Sequence, residues 1–281
     1  HQELEQFDAA ELFIMNQFKN TNNPQYLVEI GYNYQLRNEL DLAQDYYSQA
    51  ISRAQTNPAY SYSIALRFED HSLIEQAISV YKLVIQKTKN ISYEYRLAGL
   101  YAQKRDIENM FISYLNFVEH NKAYLNQIFQ VLSEYITEDS KSEYNLMFKK
   151  IVLKKLQTKS SVFWNHMLSW LYNQQKDYKK SLVQQISIYK REQKSLQGVI
   201  DLGILAKREK DYETTINAFN FVIEMSQESK LIMEAKLQLL LLDQLLKLRQ
   251  GSEIENDYIF LIGRYGSNDN TLDLLLSYFN F

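Results

Sequence analysis

Cysteine is absent from the 281 residues, which removes disulfides, thiolate metal sites and cysteine nucleophiles and leaves reducing and oxidising compartments equally open. Proline occurs 2 times and glycine 7 times, too rarely to punctuate a fold of many strands and tight turns, so helices fit the composition best. Charge of one sign is also missing. With 31 Lys and Arg against 34 Asp and Glu the net charge is -3, which gives no field to draw in phosphate backbones or anionic lipid, and nucleic acid is not an expected partner. The longest apolar stretch, Leu237 to Leu248, is broken by Gln238, Asp243, Gln244 and Lys247. It falls short of the roughly 20 residues that a membrane span needs. His1 to Gln6 has neither a basic n-region nor an apolar h-region, so a signal peptide is expected to be absent or already removed.

What the chain does have is 46% hydrophobic residues, with 22 Tyr and 14 Phe, enough to bury a large core. These residues recur with a period near 34. From Pro24 to Asn57, Leu27, Ile30, Gly31 and Tyr34 stand at helical spacing, followed by Arg37-Asn38-Glu39 as a turn and by Leu40, Ala43, Tyr47 and Ala50 at a second helical spacing. Ile64, Ala65, Phe68, Ala77, Tyr81 and Val84 repeat the pattern, then Leu97, Ala98, Tyr101, Tyr114 and Phe117, with Met110 where the second small residue belongs. A fourth unit is weak. Ile128, Tyr135, Phe148 and Ile151 hold the pattern, Leu132 and Tyr144 replace both small residues, and about three extra residues are expected to follow it. The phase returns with Leu168, Ser169, Tyr172, Asp177, Tyr178, Ser181 and Leu182, and again with Leu202, Gly203, Asp211, Tyr212, Ile216 and Phe219.

A small residue in each helix of a pair lets two backbones cross closely, and the aromatics fill the gaps between pairs. One pair cannot bury both of its apolar faces, so neighbours must stack. Leu231 to Leu248 and Glu253 to Tyr265 read as further helices out of register, either a degenerate repeat or part of a separate small bundle. Phe7, Ala10 and Ile14 have the phase of a second helix without its first, and Thr271 is placed to cap a helix from Leu272 to Phe279. The chain is therefore expected to start and stop inside repeats, and self-association through those ends is one expected contact.

The motifs resemble the tetratricopeptide repeat family, most closely in Leu27 to Ala50 and Leu202 to Val222 and in the turns Lys176-Asp177-Tyr178 and Lys210-Asp211-Tyr212. The resemblance covers about 7 to 225. It departs from the family pattern in lacking the inter-helix turn glycine throughout and in keeping a terminal proline only at Pro24 and Pro58. What it implies is an all-α, right-handed α-α superhelix. About six helix-turn-helix repeats would fill 1-225, and degenerate helical repeats would continue over 226-281.

The resemblance further implies a non-catalytic interaction scaffold, with a protein or peptide partner lying along the concave surface formed by the first helices. Carrying that geometry over places Tyr62, Tyr95, Phe129 and His166 in equivalent positions, with Tyr32, Leu66, Gly99, Ser133, Trp170 and Ile204 in the next row and Arg96, Lys207 and Arg208 nearby as orienting charges. The lysine and asparagine clamp by which one subclass grips a terminal carboxylate is missing, since Val28, Tyr32, Tyr62 and Leu66 occupy those positions. Two other readings stand beside the scaffold: the recruiting or regulatory region of a larger protein or enzyme, and an RNA-binding solenoid of the pentatricopeptide kind. The second expects a basic groove and repeats near 35, which this chain lacks.

No other chemistry is expected. His1, His71, His120 and His166 do not pair at helical spacing, and His71 and His120 are expected near helix ends in solvated structural roles. Gly263-Arg264-Tyr265-Gly266 follows a helix and reads as its end rather than as a phosphate cradle, and Ser267-Asn268-Asp269-Asn270 reads as a turn. Lys149, Lys150, Lys154 and Lys155 read as the solvated face of an amphipathic helix. Neither cofactor nor metal is implied, and no enzymatic activity. Richness in Asn, Lys, Ile and Tyr fits an AT-rich bacterial genome, and a periplasmic or cell-envelope home is expected over a cytoplasmic one.

Overall fold

The computed structural model describes residues 6–158 and 161–281, so His1 and most of the His1 to Gln6 stretch lie outside the described residues. The described chain is all-α, without a strand. It groups into two compact units, 1–134 and 135–281.

The first unit holds α1 (Phe7–Thr21), α2 (Gln25–Leu36), α3 (Leu40–Thr56), α4 (Ser61–Asp70), α5 (Ile74–Thr88), α6 (Tyr93–Gln103), α7 (Ile107–His120) and α8 (Leu125–Leu132). Helices α2 and α3, α4 and α5, and α6 and α7 pack as hairpins, and each hairpin also packs on the next. The second unit holds α9 (Glu143–Thr158), α10 (Val162–Gln174), α11 (Tyr178–Glu192), α12 (Gln197–Arg208), α13 (Tyr212–Met225), α14 (Ser229–Leu246), α15 (Gly251–Tyr265) and α16 (Leu272–Phe279). There α10 pairs with α11, α12 with α13, and α14 with α15. These consecutive pairs are helix-turn-helix units, as the 34-residue period anticipated.

The core of each hairpin is the pairing anticipated from the small residues. A Cβ added at Gly31 would stand 2.5 Å from the Tyr47 ring and 3.0 Å from the Ala43 carbonyl oxygen, and one added at Gly203 would stand 3.1 Å from the Ala218 Cβ. Ala65 and Ala77 are fully buried in the second hairpin. In the α10–α11 hairpin the contact is polar: the Ser169 and Ser181 hydroxyls lie 2.8 Å apart, both buried. Met110, where a small residue was anticipated, is also fully buried.

Five hairpins turn through three residues, and all five turns use one device. The middle residue, Asn38, Ser72, Arg105, Lys176 or Lys210, has φ between 55 and 65°. Its N–H and that of the next residue reach back across the helix end, as in Lys210 to the Lys207 carbonyl (3.2 Å) and Asp211 to the Ala206 carbonyl (2.9 Å). This left-handed closure satisfies carbonyls the helix would leave open, and it is where glycine is usually found. Asp106, Asp177 and Asp211 then cap the second helix by accepting from the N–H of Asn109, Lys180 and Thr214. The aspartate of each Lys-Asp-Tyr turn is thus a capping residue.

Three local expectations need correction. The extra residues near the fourth unit do not follow it but lie in the ten-residue connection between α8 and α9, where three suffice elsewhere. Gly263 is helical, and only Gly266, at φ 78°, ends α15. Thr271 stands at the start of α16 but its hydroxyl bonds Asn268 instead of a helix N–H, because Asn268 and Thr271 close a 3₁₀ turn on each other. Lys150 and Lys154 are exposed as anticipated, whereas Lys149 and Lys155 lie over the Tyr172 and Trp164 rings. Leu231 to Leu248 falls on α14, which ends with the left-handed Lys247 and the same closure as the other hairpins.

Candidate interaction faces

In the first unit the faces of α2, α4 and α6 carry most of the anticipated residues. Tyr62 on α4 is 43% exposed. The Arg96 guanidinium stands 5.9 Å over its ring and donates to its hydroxyl at 3.3 Å. The core of α4 is complete without this ring, being built from Ile64, Ala65 and Phe68. Tyr32 differs: its ring stacks on His71 at 3.8 Å. Tyr95 differs again, lying 5.9 Å from the Tyr114 ring and 5.3 Å from Phe117 while its hydroxyl accepts from Gln127 Nε2 at 3.2 Å. It ties α6 to α7 and α8. Leu66 and Phe129 are half-buried.

Beneath this face runs a polar ladder that the sequence reading did not find. Glu11 of α1 accepts from the Tyr34 hydroxyl (2.7 Å) and Arg37 (3.1 Å). Glu29 of α2 holds His71 at 3.0 Å and Arg67 at 3.6 Å. Glu69 of α4 accepts from Tyr81 at 2.5 Å and faces Arg96 at 3.9 Å. His71 therefore does end α4, but its ring is mostly buried against Glu29 and Tyr32 rather than solvated. His120, the last residue of α7, bonds the Asn116 carbonyl through Nδ1.

The ladder explains the behaviour of the phenols. Its hydrogen bond to Glu11, reinforced by burial, pushes the Tyr34 hydroxyl up to about 12. Burial raises Tyr47 and Tyr81 further, the latter also through the bond to Glu69. These tyrosines are packing and hydrogen-bonding groups that stay protonated, with no tendency towards a nucleophilic phenolate.

In the second unit His166 is exposed on α10, while Trp170 one turn later meets the edge of Phe148 at 5.6 Å. Arg208 is exposed and pairs with Glu209 at 3.4 Å. Lys207 is half-buried and donates to Gln238 Oε1 of α14 at 3.1 Å, and burial pulls its ammonium below the ordinary lysine value. Gln238 lines a cleft of about 530 Å³ between α12, α14 and α16, with half-exposed Ile204 of α12 and Leu276 of α16 also in its lining. The rows of repeat positions reach this cleft only on its α12 side, at Ile204, because α14 to α16 are out of register with the repeats before them.

Among the described residues no three metal-ligating side chains come together, and no helix is long and apolar enough to cross a membrane. No protein-family model matches the chain, and no curated protein matches it. Among solved structures, the crystal structure of a tetratricopeptide repeat protein from Parabacteroides merdae aligns at 16% identity with a TM-score of 0.31, covering 92% of this chain and 100% of that one. So low a score adds nothing to the helix pairing already described.

Proposed function

We propose that the chain is a non-catalytic scaffold that holds a protein or peptide partner against the exposed faces of its first helices, α4 and α6 in the first unit and α10 and α12 in the second. The observation that supports this most directly is Tyr62. A large aromatic, 43% exposed and flanked by a guanidinium, stands on a helix whose core does not use it. Tyrosine and arginine are among the residue types enriched where binding energy concentrates in interfaces. Ile204, half exposed on α12, stands in the same relation to its own hairpin. Tyr95 and Trp170, by contrast, act mainly by packing. The same faces would serve a chain that is the recruiting part of a larger protein.

Photo-cross-linking tests the reading. A photoreactive phenylalanine analogue replaces Tyr62 or Ile204, and as a control Val183, which is 56% exposed on the second helix α11. Adducts to protein from positions 62 and 204 but not from 183 are expected. Equal adducts from all three, or adducts to RNA, would overturn the assignment.

A further inference from the structure

Two cations that line other cavities are held by carboxylates. In the cavity of about 360 Å³ beside α1 and α2, Arg67 is held by Glu29. In the cavity of about 260 Å³ between α14 and α15, Arg249 is held by Asp243 at 3.3 Å and Asp257 at 2.7 Å. Lys207 is held differently. Among the described residues it has no carboxylate within 4.0 Å, and its one partner is the neutral amide of Gln238. A half-buried ammonium given only an amide keeps most of its desolvation cost, and a carboxylate brought beside it would offset that cost with a charge-assisted bond.

The surroundings say what should carry that carboxylate. Gln238 is itself part of the cleft lining, so the ammonium stands next to the cleft. Ile200 and Ile204 of α12, Leu241 of α14 and Leu276 of α16 line it. Ile204 and Leu276, each about half exposed in one cleft, lose free energy to water until something apolar covers them. The acidic groups nearby do not supply the missing charge. Glu234 pairs with Lys230 at 3.8 Å, and Asp273 lies in the first turn of α16, where the helix end favours it.

Resting on the scaffold reading above, we infer that the cleft between α12, α14 and α16 receives a peptide segment whose aliphatic side chains fill the space between Ile204 and Leu276 and whose aspartate or glutamate side chain pairs with Lys207. The cleft has room for a few side chains of such a segment. Lys207 would give up Gln238 or share it, leaving the amide free to bond the peptide backbone.

Selection of random dodecapeptides displayed on phage, against the full chain and against Lys207→Met, tests this. Methionine keeps the apolar stem and removes the charge. Peptides pairing Leu or Ile with Glu or Asp are expected against the wild type, with the acidic preference gone against the variant. In fluorescence anisotropy the best peptide should lose roughly tenfold in affinity on Glu→Gln in the peptide or Lys207→Met in the protein, in line with a charge-assisted bond falling to a neutral one. Leu276→Ser should weaken the acidic and amide peptides alike. Selected peptides without acidic preference, an acidic preference that survives Lys207→Met, or indifference to Leu276→Ser would each overturn the inference while leaving the scaffold reading in place. A library from which nothing binds either protein would remove both.

Discussion

The left-handed turns make a prediction whose sign runs against the usual effect of introducing glycine. Arg105 has φ 58° and Lys210 φ 65°, and neither forms an ion pair among the described residues. A residue with a Cβ held in that region costs about 1 to 2 kcal/mol, because the Cβ crowds the following carbonyl. Glycine removes the crowding but adds freedom to the unfolded chain, which costs roughly 0.4 to 1 kcal/mol. The difference leaves Arg105→Gly and Lys210→Gly each more stable by about 0.5 to 1 kcal/mol. The two sites share no partners, so the double variant should gain about 1 to 2 kcal/mol.

Asn38 provides an internal control. It sits at φ 63° in the same closure, yet its short polar side chain tolerates the left-handed region, so Asn38→Gly should gain nothing or lose slightly. Lys176 is a poorer test, since Lys176→Gly also removes an exposed ion pair to Glu138 at 2.7 Å. Urea unfolding followed by circular dichroism at 222 nm is the assay. With a slope of about 3 kcal/mol per molar, the double variant should move the midpoint upward by roughly 0.5 M. If Arg105→Gly, Lys210→Gly and Asn38→Gly all lower the midpoint by a similar amount, only the unfolded chain has responded, and the turns carry no strain.

Gly31→Ala should do the opposite of the turn variants and destabilise by about 1 to 3 kcal/mol, because the added methyl would stand 2.5 Å from the buried Tyr47 ring; an unchanged urea midpoint would count against the close crossing. Stability should also hold steady up to about pH 9 and fall above pH 10, since folding raises the phenols of Tyr34, Tyr47 and Tyr81 and the unfolded chain then releases protons that the folded one keeps. Tyr34, at about 12, contributes through the window from 10 to 12, so Tyr34→Phe should flatten the slope there, and a midpoint level through pH 12 would contradict the assignment.

What the sequence disclosed, and what it hid, follows from where period and chemistry coincide. Gly31, Ala65, Ala98, Ser169 and Gly203 were legible because a close helix crossing demands a small residue at one position of each 34-residue step, and the aromatics 12 to 16 residues away must then fill the space. The turns were legible as turns, but not their left-handed conformation, because Arg105 and Lys210 are not residues that announce it. The ladder was hidden for a different reason. Glu29 meets His71 and Arg67 across 42 and 38 residues, intervals that are not multiples of the repeat, and each of these residues alone looks like ordinary surface charge. Among the anticipated binding residues, period placed Tyr62 and Tyr95 on first helices, yet could not separate Tyr62, which is exposed, from Tyr95, whose ring turns back against α7. That distinction depends on the side chain's direction, set by the neighbouring helix rather than by its own.

The ladder also bears on how like hairpins choose their neighbours. An apolar spine built from small residues facing aromatics is nearly the same at every step, so packing alone distinguishes poorly between the correct neighbour and a wrong one. Glu11, Glu29 and Glu69 are only 24%, 19% and 20% exposed, and each meets two donors of which at least one belongs to the next first helix or its end. A hairpin docked out of order would leave such a carboxylate half-buried and unpaired, a penalty of several kcal/mol, whereas the correct pairing adds little net stability. The carboxylates therefore act through what they forbid. By the same logic Lys207, half-buried against a neutral amide, is a position in the second unit where a carboxylate supplied by a partner would offset a desolvation cost. A carboxylate there completes the pattern that the first unit has already closed within itself.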